Sequence, residues 1–517
     1  MNESSQANGL YSTVQLRAME KKQASQPLMQ RAGEAVARLA RTLLAGNKAP
    51  RILLLAGPGN NGGDAWVAAH ALAKAKRKVT VLAVGQHTCT ESAAPAAQKA
   101  QQALRKIPGC IVKKWPVKDK FELIIDGLFG IGLSRAPQTP QGEFADLIRH
   151  VNRHRLTHDT QVLAIDIPSG LCADTGVAFD RDTTIHADHT ITFLGHKPGL
   201  YTADGPDYCG SIHLETLGIP LLETKGNLLT ASIVRALIPT RRANSHKGQY
   251  GNVAIVGGAK NMVGAAVLAA RAALHMGPGK VYLGVLAEEA FAFDPLHPEI
   301  MVHDATLLAD KMDIDACAVG MGAGKDNKFL QLFEQLLQRP LPLVIDADAL
   351  HAIASKPALG AAFRAYTART PVDKGPQAIL TPHPGEAATL LGCTVADIQR
   401  DRIRAAATLA STWQAIVVLK GAGTVIATPD GSYFINTSGN AGMASGGMGD
   451  ALSGMLAALL AQGMHAIDAA RLGVYLHGAA ADECQHHGMA PHGLTASEVI
   501  FEARALLNSG LADKHEG

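Results

Sequence analysis

The sequence predicts an α/β protein of two consecutive domains, each with a mainly parallel β-sheet covered by helices. The chain has 517 residues, and at roughly 100–200 residues per domain this length allows two or three separate cores. Short aliphatic runs alternate with alanine-rich stretches of helical length, as in βαβ units. The aliphatic runs are nearly continuous rather than interrupted by polar residues, which is typical of strands buried on both faces.

The composition excludes several classes of protein. The chain carries 48 Lys+Arg against 45 Asp+Glu, so its formal net charge is only +3. This charge gives too weak a field for a dedicated nucleic-acid or membrane-surface protein, and we expect a small-molecule ligand. Seven scattered cysteines without a CxxC pair indicate neither a disulfide framework nor a zinc site. The polar N-terminus and the lack of a long apolar run favour a soluble, cytoplasmic protein.

The first domain is predicted to be a doubly wound, Rossmann-like α/β/α sandwich of three layers. Its strands are expected at residues 51–57, 78–84, 122–127, 161–166 and 189–195. We place the domain boundary near residue 225 and assign residues 1–224 to the first domain and 225–517 to the second.

A second series of strands follows a polar, basic stretch at residues 239–251. These strands are expected at 252–258, 280–286, 315–322, 342–350, 378–382 and 415–421. The bridge between the two series contains an apolar stretch at 231–238, which we expect to pack as a helix rather than to remain a free linker. The second part is therefore also predicted to be an α/β domain.

Polar groups follow three strands of the first domain. The loop GPGNNGGD (57–64) leads from a strand into a helix, so its N–H groups and the positive helix end suit an anion. Its spacing is neither that of a P-loop nor that of the dinucleotide fingerprint. Asp126 and Asp166 lie at the ends of two further strands. Carboxyl ends of parallel strands face one crevice, which predicts a ligand site there, although each feature alone is also compatible with a tight turn or a helix cap.

The strongest signal in the sequence is GGMGDALSG at 446–454. Its glycines lead through Asp450 into an apolar helix, so N–H groups and a helix dipole lie beside a carboxylate. Phosphoryl transfer to a hydroxyl needs such an anion hole and a base, and we predict that Asp450 is that base. A helix-capping role for Asp450 is the alternative. Lys420 at a strand end starts a hairpin-like element suited to nucleotide phosphates, whereas a lone His383 is more often a structural residue.

The motifs GPGNNGGD, DGLFGIGLSR and DIPSG together resemble the epimerase domain of the NAD(P)H-hydrate repair enzymes, over about residues 1–220. The segment LMQRAGEAVA (28–37) is similar to the first helix of that family, while Ala65 stands where the family commonly has glycine. The resemblance implies a K⁺ ion bound by Asn61, Asp126 and Ser169, and Asp166 as the carboxylate that moves a proton or stabilises the ring cation. It also implies that the hydrated nucleotide contacts Asn60, Asn61, Gly62, Gly63, Asp64, Gly130, Ile131, Gly132, Leu133, Ser134, Arg135, Ala136 and Asp166.

The second part resembles the ribokinase-like fold, and HKGQYGNVAIVGG, TPHPGE, KGAGT and GGMGDALSG resemble the ADP-dependent NAD(P)H-hydrate dehydratase over about residues 226–510. The resemblance implies Mg²⁺ bound with ADP as the co-substrate, and we expect a homo-oligomer. The implied nucleotide contacts are Lys420, Gly421, Ala422, Gly423, Thr424 and Gly449. The implied hydrate contacts are Ala265, Gly322, His383 and Asp450.

With both halves in this order, the resemblance implies an enzyme that repairs NADH hydrate and NADPH hydrate. It would epimerise the R and S forms and dehydrate the S form with ADP, giving NAD(P)H, AMP and phosphate. One alternative is a ribokinase-like vitamin-precursor kinase whose first domain is a non-catalytic Rossmann-like binding domain. Another is a first domain that acts only as a scaffold, although Asp64, Asp126 and Asp166 argue against that.

Overall fold

The computed structural model describes residues 8–47, 49–85, 94–116, 120–132, 139–288, 292–310, 313–369 and 377–511. The chain divides into two compact units, Met1–Gly226 and Asn227–Gly517. None of the helices in the described ranges combines the length and the apolar character needed to cross a membrane.

The strands, in chain order, are β1 (Gly9–Leu10), β2 (Arg51–Ala56), β3 (Lys78–Ala83), β4 (Ile111–Val112), β5 (Leu123–Gly127), β6 (Gln161–Ile165), β7 (His189–Phe193), β8 (Ser211–Glu215), β9 (Gly226–Leu229), β10 (Asn252–Gly257), β11 (Lys280–Val285), β12 (Ile300–Asp304), β13 (Ala316–Val319), β14 (Leu343–Ile345), β15 (Ala378–Leu380), β16 (Ile416–Leu419), β17 (Val425–Ala427) and β18 (Tyr433–Asn436).

The α-helices are α1 (Thr13–Lys22), α2 (Leu28–Leu43), α3 (Asn60–Lys74), α4 (Ala94–Arg105), α5 (Glu143–His158), α6 (Gly205–Cys209), α7 (Ala231–Arg235), α8 (Val263–His275), α9 (Ala305–Asp310), α10 (Asn327–Gln338), α11 (Ala347–Ser355), α12 (Pro357–Ala368), α13 (Pro384–Leu391), α14 (Val395–Arg400), α15 (Arg402–Trp413), α16 (Met448–Ala461), α17 (Ala466–His486) and α18 (Ala496–Asn508).

The first unit is a three-layer sandwich around a parallel sheet, with strand order β4-β3-β2-β5-β6-β7-β8. Successive residues of β2 alternate between two cores: Leu54 packs with α2 and α3 on one face, and Leu55 packs with α5 on the other. This arrangement confirms the Rossmann-like prediction and explains the continuous apolar strand sequences. The sequence analysis missed β4 and β8, because β4 has two residues and β8 is only partly buried.

The sheet of the second unit runs in the order β9-β18-β17-β16-β15-β14-β13-β10-β11-β12. The strands from β16 to β12 are parallel neighbours, whereas β16, β17 and β18 form antiparallel pairs. The prediction of a second α/β domain is confirmed. The sequence analysis missed β12, a partly exposed edge strand. The apolar stretch after β9 forms the short helix α7, whose Val234 is fully buried.

Strand order places the predicted site residues together. In the first unit, β2, β5 and β6 are adjacent, so the loops that follow them meet at one edge of the sheet. In the second unit, β14, β15 and β16 are adjacent, and α16 is apolar and buried on nearly all sides. Each unit therefore presents a group of polar strand ends at the carboxyl edge of its sheet, where ligands bind in open α/β folds.

Candidate active sites

The glycine-rich loop of the first unit is shaped by close backbone contacts. A Cβ atom added at Gly62 would lie 1.9 Å from the carbonyl oxygen of Gly57, and one added at Gly57 would lie 2.0 Å from that of Leu128. Only glycine fits at such distances. The helix α3 begins directly afterwards at Asn60, which is exposed. Packing alone thus requires two glycines of this loop, while Asn61, Gly63 and Asp64 are buried in the first turns of the helix.

A group of buried oxygen atoms lies beside this loop. The Asp126 carboxylate is fully buried and accepts hydrogen bonds from Ser169 Oγ at 2.8 Å, from Ser169 N at 2.9 Å and from Leu128 N at 3.1 Å. The backbone carbonyl of Phe129 accepts a hydrogen bond from Asn61 Nδ2 at 2.9 Å, and the Phe129 N–H donates to Ser169 Oγ at 2.9 Å. The structure therefore brings Asn61, Asp126 and Ser169 together.

The surroundings of Asp126 suit a monovalent cation. Burial raises the pKa of this carboxyl to about 6, although three hydrogen bonds from Ser169 and Leu128 act in the opposite direction. Among the described residues, the groups that hold it are neutral donors, which leave the charge of the ionised carboxylate unbalanced. Hard cations such as K⁺ favour carboxylate, carbonyl, amide and hydroxyl oxygens, and Asn61, Ser169 and the neighbouring carbonyls supply the neutral part of such a set. The residues fit a K⁺ ion.

Further acidic and basic side chains lie next to the cluster of Asn61, Asp126 and Ser169. The buried ammonium of Lys197 lies 2.7 Å from Asp166 Oδ1. Burial raises the pKa of Asp64 well above its ordinary value, and the charges of Asp166 and Glu20 raise it further. Burial also raises the pKa of Glu20, with a further contribution from Asp166, while Lys197 and Arg17 lower it. The arrangement places Asp64, a buried carboxyl with a raised pKa, near Asp166, a carboxylate held by a cation.

The loop that follows β5 approaches Asn61 of the glycine-rich loop. A Cβ atom at Gly130 would be 3.3 Å from Asn61 Cγ, and the carbonyl of Ile131 accepts a hydrogen bond of 2.9 Å from the Arg17 guanidinium. Gly132 is the last described residue of this loop. Leu133, Ser134, Arg135 and Ala136, which the resemblance also assigns to the hydrate site, lie outside the described residues.

In the second unit, Lys420 joins the ends of three neighbouring strands. Its ammonium lies 2.9 Å from Asp346 Oδ1 and 3.9 Å from Glu386 Oε2. Asp346 is buried, and its second carboxylate oxygen accepts a 2.7 Å hydrogen bond from Ser453 Oγ on α16. Burial by itself would lower the pKa of Lys420, but the nearby carboxylates outweigh it and raise that pKa. The ammonium is thus held charged and fixed in direction.

Asp450 lies in the first turn of α16, one turn before Ser453. The helix is capped by Gly447, whose φ of +89° suits glycine, and no side chain makes the capping hydrogen bond. The alternative of Asp450 as the cap is therefore wrong. Burial raises the pKa of Asp450 to about 6, the charges of Asp346 and Glu386 add to the increase, and Lys420 opposes it. At neutral pH this carboxyl is mostly ionised yet close to its pKa, which suits a general base.

His383 has a structural role that the sequence analysis kept as an alternative. Its Nδ1 accepts hydrogen bonds from the N–H groups of Gly385 and Glu386, and the Glu386 carboxylate accepts one from His383 N at 2.7 Å. This reciprocal capping box starts α13. Because 57% of the His383 side chain stays exposed, capping leaves the rest of the ring accessible to a ligand.

The remaining predicted hydrate contacts form a second small group. Gly322 has a φ of +56°, and a Cβ atom there would lie 3.2 Å from Ala265 Cβ. The backbone N–H of Gly324 donates to Asp348 at 2.8 Å. The structure therefore brings Ala265 and Gly322 together between the ends of β10 and β13.

The predicted nucleotide loop, residues 420–424, rests on a buried arginine that the sequence analysis missed. Arg402, at the start of α15, donates to the carbonyl oxygens of Leu419 at 3.1 Å and Lys420 at 3.2 Å. A Cβ atom at Gly421 would lie 3.0 Å from the Arg402 guanidinium, and burial lowers the pKa of that group to about 10. In the same way, a Cβ atom at Gly449 would lie 3.2 Å from Lys420 Nζ.

Several site residues had no sequence signal of their own. Arg402 and Lys197 lie outside the glycine-rich motifs, and only burial reveals them, because an almost fully buried cation is rare unless it is paired. Asp346 directly follows Ile345, the last residue of β14, within the range 342–350 that the sequence predicts only as a strand. Ser453 follows Asp450 by one helical turn, so its direction toward Asp346 could be seen only with the fold in hand.

Comparison with known proteins gave matches for both units. Residues 253–502 match the family described as NAD(P)H-hydrate dehydratase, and residues 25–199 match the family described as YjeF-related protein N-terminus. The bifunctional NAD(P)H-hydrate repair enzyme Nnr of Escherichia coli is 37% identical over 496 residues, which cover 94% of this chain and 90% of the relative. The corresponding enzyme of Coxiella burnetii is 35% identical over 515 residues, covering 96% and 99%.

Among solved structures, the ADP/ATP-dependent NAD(P)H-hydrate dehydratase of Bacillus subtilis, co-crystallised with ATP and Mg²⁺, is similar to the second unit. It is 33% identical, covers 55% of this chain and 98% of its own, and has a TM-score of 0.47.

Proposed function

The chain belongs to the family of bifunctional NAD(P)H-hydrate repair enzymes, and from that premise we propose that its two units act in turn on hydrated nicotinamide nucleotides. The first unit interconverts the R and S epimers of NADH hydrate and NADPH hydrate. The second unit dehydrates the S epimer with ADP, giving NAD(P)H, AMP and phosphate. The observation that carries this proposal is the position of Asp450 in the first turn of a glycine-capped helix, directly after Gly449, where a Cβ atom would lie 3.2 Å from the Lys420 ammonium.

Dehydration needs an activated hydroxyl, because hydroxide is a poor leaving group at neutral pH. Asp450 removes the proton of the hydrate hydroxyl, whose oxygen attacks the terminal phosphorus of ADP, and AMP leaves. Phosphate then departs as the ring nitrogen donates its lone pair, and loss of a proton from the adjacent carbon restores the double bond. The 420–424 loop and the N–H groups near Gly449 hold the phosphate charge.

The magnesium ion would enter with the nucleotide. When bound, the ion would supply positive charge that offsets the negative charge developing during transfer. On the protein side, Lys420 contributes a fixed positive charge between the carboxylates of Asp346 and Glu386. Arg402 holds the loop that would carry the phosphates, through the carbonyl oxygens of Leu419 and Lys420.

Epimerisation requires loss and return of water at one ring carbon. The ring nitrogen expels the hydroxyl, and water adds to either face of the resulting cation. Asp64, whose pKa burial raises well above its ordinary value, donates a proton to the leaving hydroxyl, and the Asp166 carboxylate stabilises the cation. A K⁺ ion held by Asn61, Asp126 and Ser169 would balance the buried Asp126 charge and order the loops that contact the nucleotide. Gly130, Ile131 and the start of α3 contribute to the same binding surface.

The test uses the purified full-length protein with mixed NADH hydrate epimers and either ADP or ATP. The absorbance of reduced nicotinamide should recover completely with a nucleotide that supports the reaction, and AMP and phosphate should form with ADP. No recovery with either nucleotide would refute the repair function. Accumulation of a stable phosphorylated product would instead support a vitamin-precursor type of kinase.

A second measurement isolates the first unit. The Asp450→Asn variant should not dehydrate the hydrate, yet it should still convert a purified single epimer into the mixture, which chromatography can follow. A first unit that serves only as a scaffold would leave the purified epimer unchanged beyond its spontaneous rate. The homo-oligomer and the cytoplasmic location stay predictions.

A further inference from the structure

Lys197 is a buried cation with a complete set of hydrogen-bond acceptors. Its side chain is 1% exposed. The ammonium lies 2.7 Å from Asp166 Oδ1, 2.7 Å from Thr192 Oγ1 and 3.3 Å from the carbonyl oxygen of Phe193. A carboxylate and a carbonyl can only accept, and three acceptors match the three hydrogens of an ammonium group. These three acceptors use all the hydrogens of the ammonium and leave none for a substrate.

Asp166 is held in a position that its own backbone disfavours. Its φ is +70°, in the left-handed region that is uncommon for residues other than glycine. Its N–H donates to the carbonyl of Ile191 at 2.7 Å, and its Oδ1 is taken by Lys197. The side chain keeps 14% of its surface exposed, and the structure gives no hydrogen bond to Oδ2 from the residues it describes. One carboxylate oxygen is therefore fixed and the other is available.

Other ionisable groups surround this pair. Asp64 on α3 and Glu20 on α1 are the carboxyls coupled to Asp166, and Arg17 on α1 is the further cation near Glu20. Without Lys197, the negative charge of Asp166 would lie beside two other acidic groups and would lose the cation that contacts it. The role of Lys197 would then be to preserve the anionic form of Asp166 as well as its direction.

We propose that Lys197 is a positioning residue of the epimerase site, which fixes Oδ1 of Asp166 and thereby reserves Oδ2, as an anion, for the ring cation of the hydrate. This inference rests on the proposed epimerase function. Lys197 forms and breaks no covalent bond and transfers no proton in the reaction. Its effect passes entirely through Asp166.

The test starts from purified R epimer with excess ADP, so that NADH forms only as fast as epimerisation supplies the S epimer. The wild-type protein must first convert R hydrate faster than its spontaneous epimerisation, and failure at this step refutes the epimerase function itself rather than the role of Lys197. The Lys197→Met variant should slow this conversion by about 10²-fold. It should dehydrate purified S epimer at the wild-type rate, because those residues lie in the other unit.

The pH profile separates positioning from simple loss of structure. Removing the cation should move the acidic limb of R-hydrate conversion upward by about one pH unit or more. The Thr190→Val variant is the matched control. It removes a buried hydroxyl on β7, the strand that also carries Thr192, and this hydroxyl donates to the Cys209 carbonyl at 2.7 Å. The variant should leave the acidic limb of the pH profile unchanged. A Lys197→Met variant within about threefold of wild type, or a slow variant with an unmoved limb, would overturn the inference.

A double-variant comparison tests whether Lys197 acts only through Asp166. In an Asp166→Asn background, the additional Lys197→Met change should cost less than about threefold, since its partner charge is already gone. A full additional loss would show an independent role and overturn the proposal. If melting curves show that Lys197→Met unfolds the first unit, Lys197→Gln replaces it in both comparisons, because its amide still donates two hydrogens but carries no charge.

Discussion

Replacing Asp450 by asparagine is the sharpest test of the dehydratase chemistry. The change keeps the size of the side chain, and Asp450 provides no helix cap that would be lost. The amide cannot accept the proton of the hydroxyl, so turnover at pH 7 should fall by about 10²–10⁴-fold, the usual contribution of a general base. Binding of ADP, measured by calorimetric titration, should stay close to that of the wild type.

In the unmodified protein, the pH dependence of dehydration tests the same role of Asp450. Only the ionised carboxylate acts as a base, and it is present above the pKa of Asp450, which is about 6. About 90% of the sites are active at pH 7 and about 10% at pH 5, so kcat/KM for purified S epimer should fall about tenfold between these two values and approach a tenfold fall per pH unit only below about pH 5. The assay is the initial rate of NADH formation at saturating ADP.

The Glu386→Gln variant tests the electrostatic cause of this pH profile. The Glu386 charge raises the pKa of Asp450, so its removal should shift the acidic limb toward lower pH. Glutamine can still accept the hydrogen bond from His383 N and preserve the capping box of α13. An Asp450→Asn variant with more than about a third of wild-type turnover, or a wild-type profile that is flat between pH 5 and 7, would refute Asp450 as the base.

Three further changes test other parts of the two sites. Gly449→Val should weaken ADP binding about tenfold in calorimetry, because the new side chain would meet the Lys420 ammonium, whose distance from a Cβ atom there is 3.2 Å; unchanged affinity would place the phosphates elsewhere. Arg402→Met should raise KM for ADP more than it lowers kcat, because it removes the hydrogen bonds to the carbonyl oxygens of Leu419 and Lys420. A kcat that falls by as large a factor as KM rises would contradict a role confined to the loop. Asp126→Ala should abolish the dependence of epimerisation on K⁺ and split the reaction of mixed epimers into a fast and a slow phase, whereas a progress curve like that of wild type, with the melting curve as control, would rule out the ion site.

The fold and the motif positions could be predicted from the sequence because each depends on local pattern. Continuous apolar runs located the central strands, and the glycine-rich loops located the strand-to-helix turns. Edge strands such as β4 and β12 lack that pattern, since they are short or partly exposed. The predicted strand ends met at one edge in each sheet because parallel strands end on the same side.

The partners of the site residues were beyond the reach of sequence. Lys420 was assigned to the nucleotide, but its ion pair with Asp346 joins residues 74 positions apart, and no local spacing indicates it. Lys197 follows Asp166 by 31 residues and reaches it only because β6 and β7 are adjacent. The capping role of His383 was open to prediction, because the sequence HPGE has the spacing of a capping box.

The close backbone approach of Gly57 and Gly62 bears on how this family can change over time. A side chain at either position would collide with a carbonyl oxygen at about 2 Å, so selection for a folded first unit preserves these glycines whether or not the unit catalyses anything. The Asp166–Lys197 pair differs, because burying its two charges costs free energy and its proposed role in epimerisation would be the reason to retain it. In a descendant that lost epimerase activity, we therefore expect the glycine-rich loop to be retained and the residues of this ion pair to be substituted. The ion pair would then distinguish active from inactive first units better than the loop does.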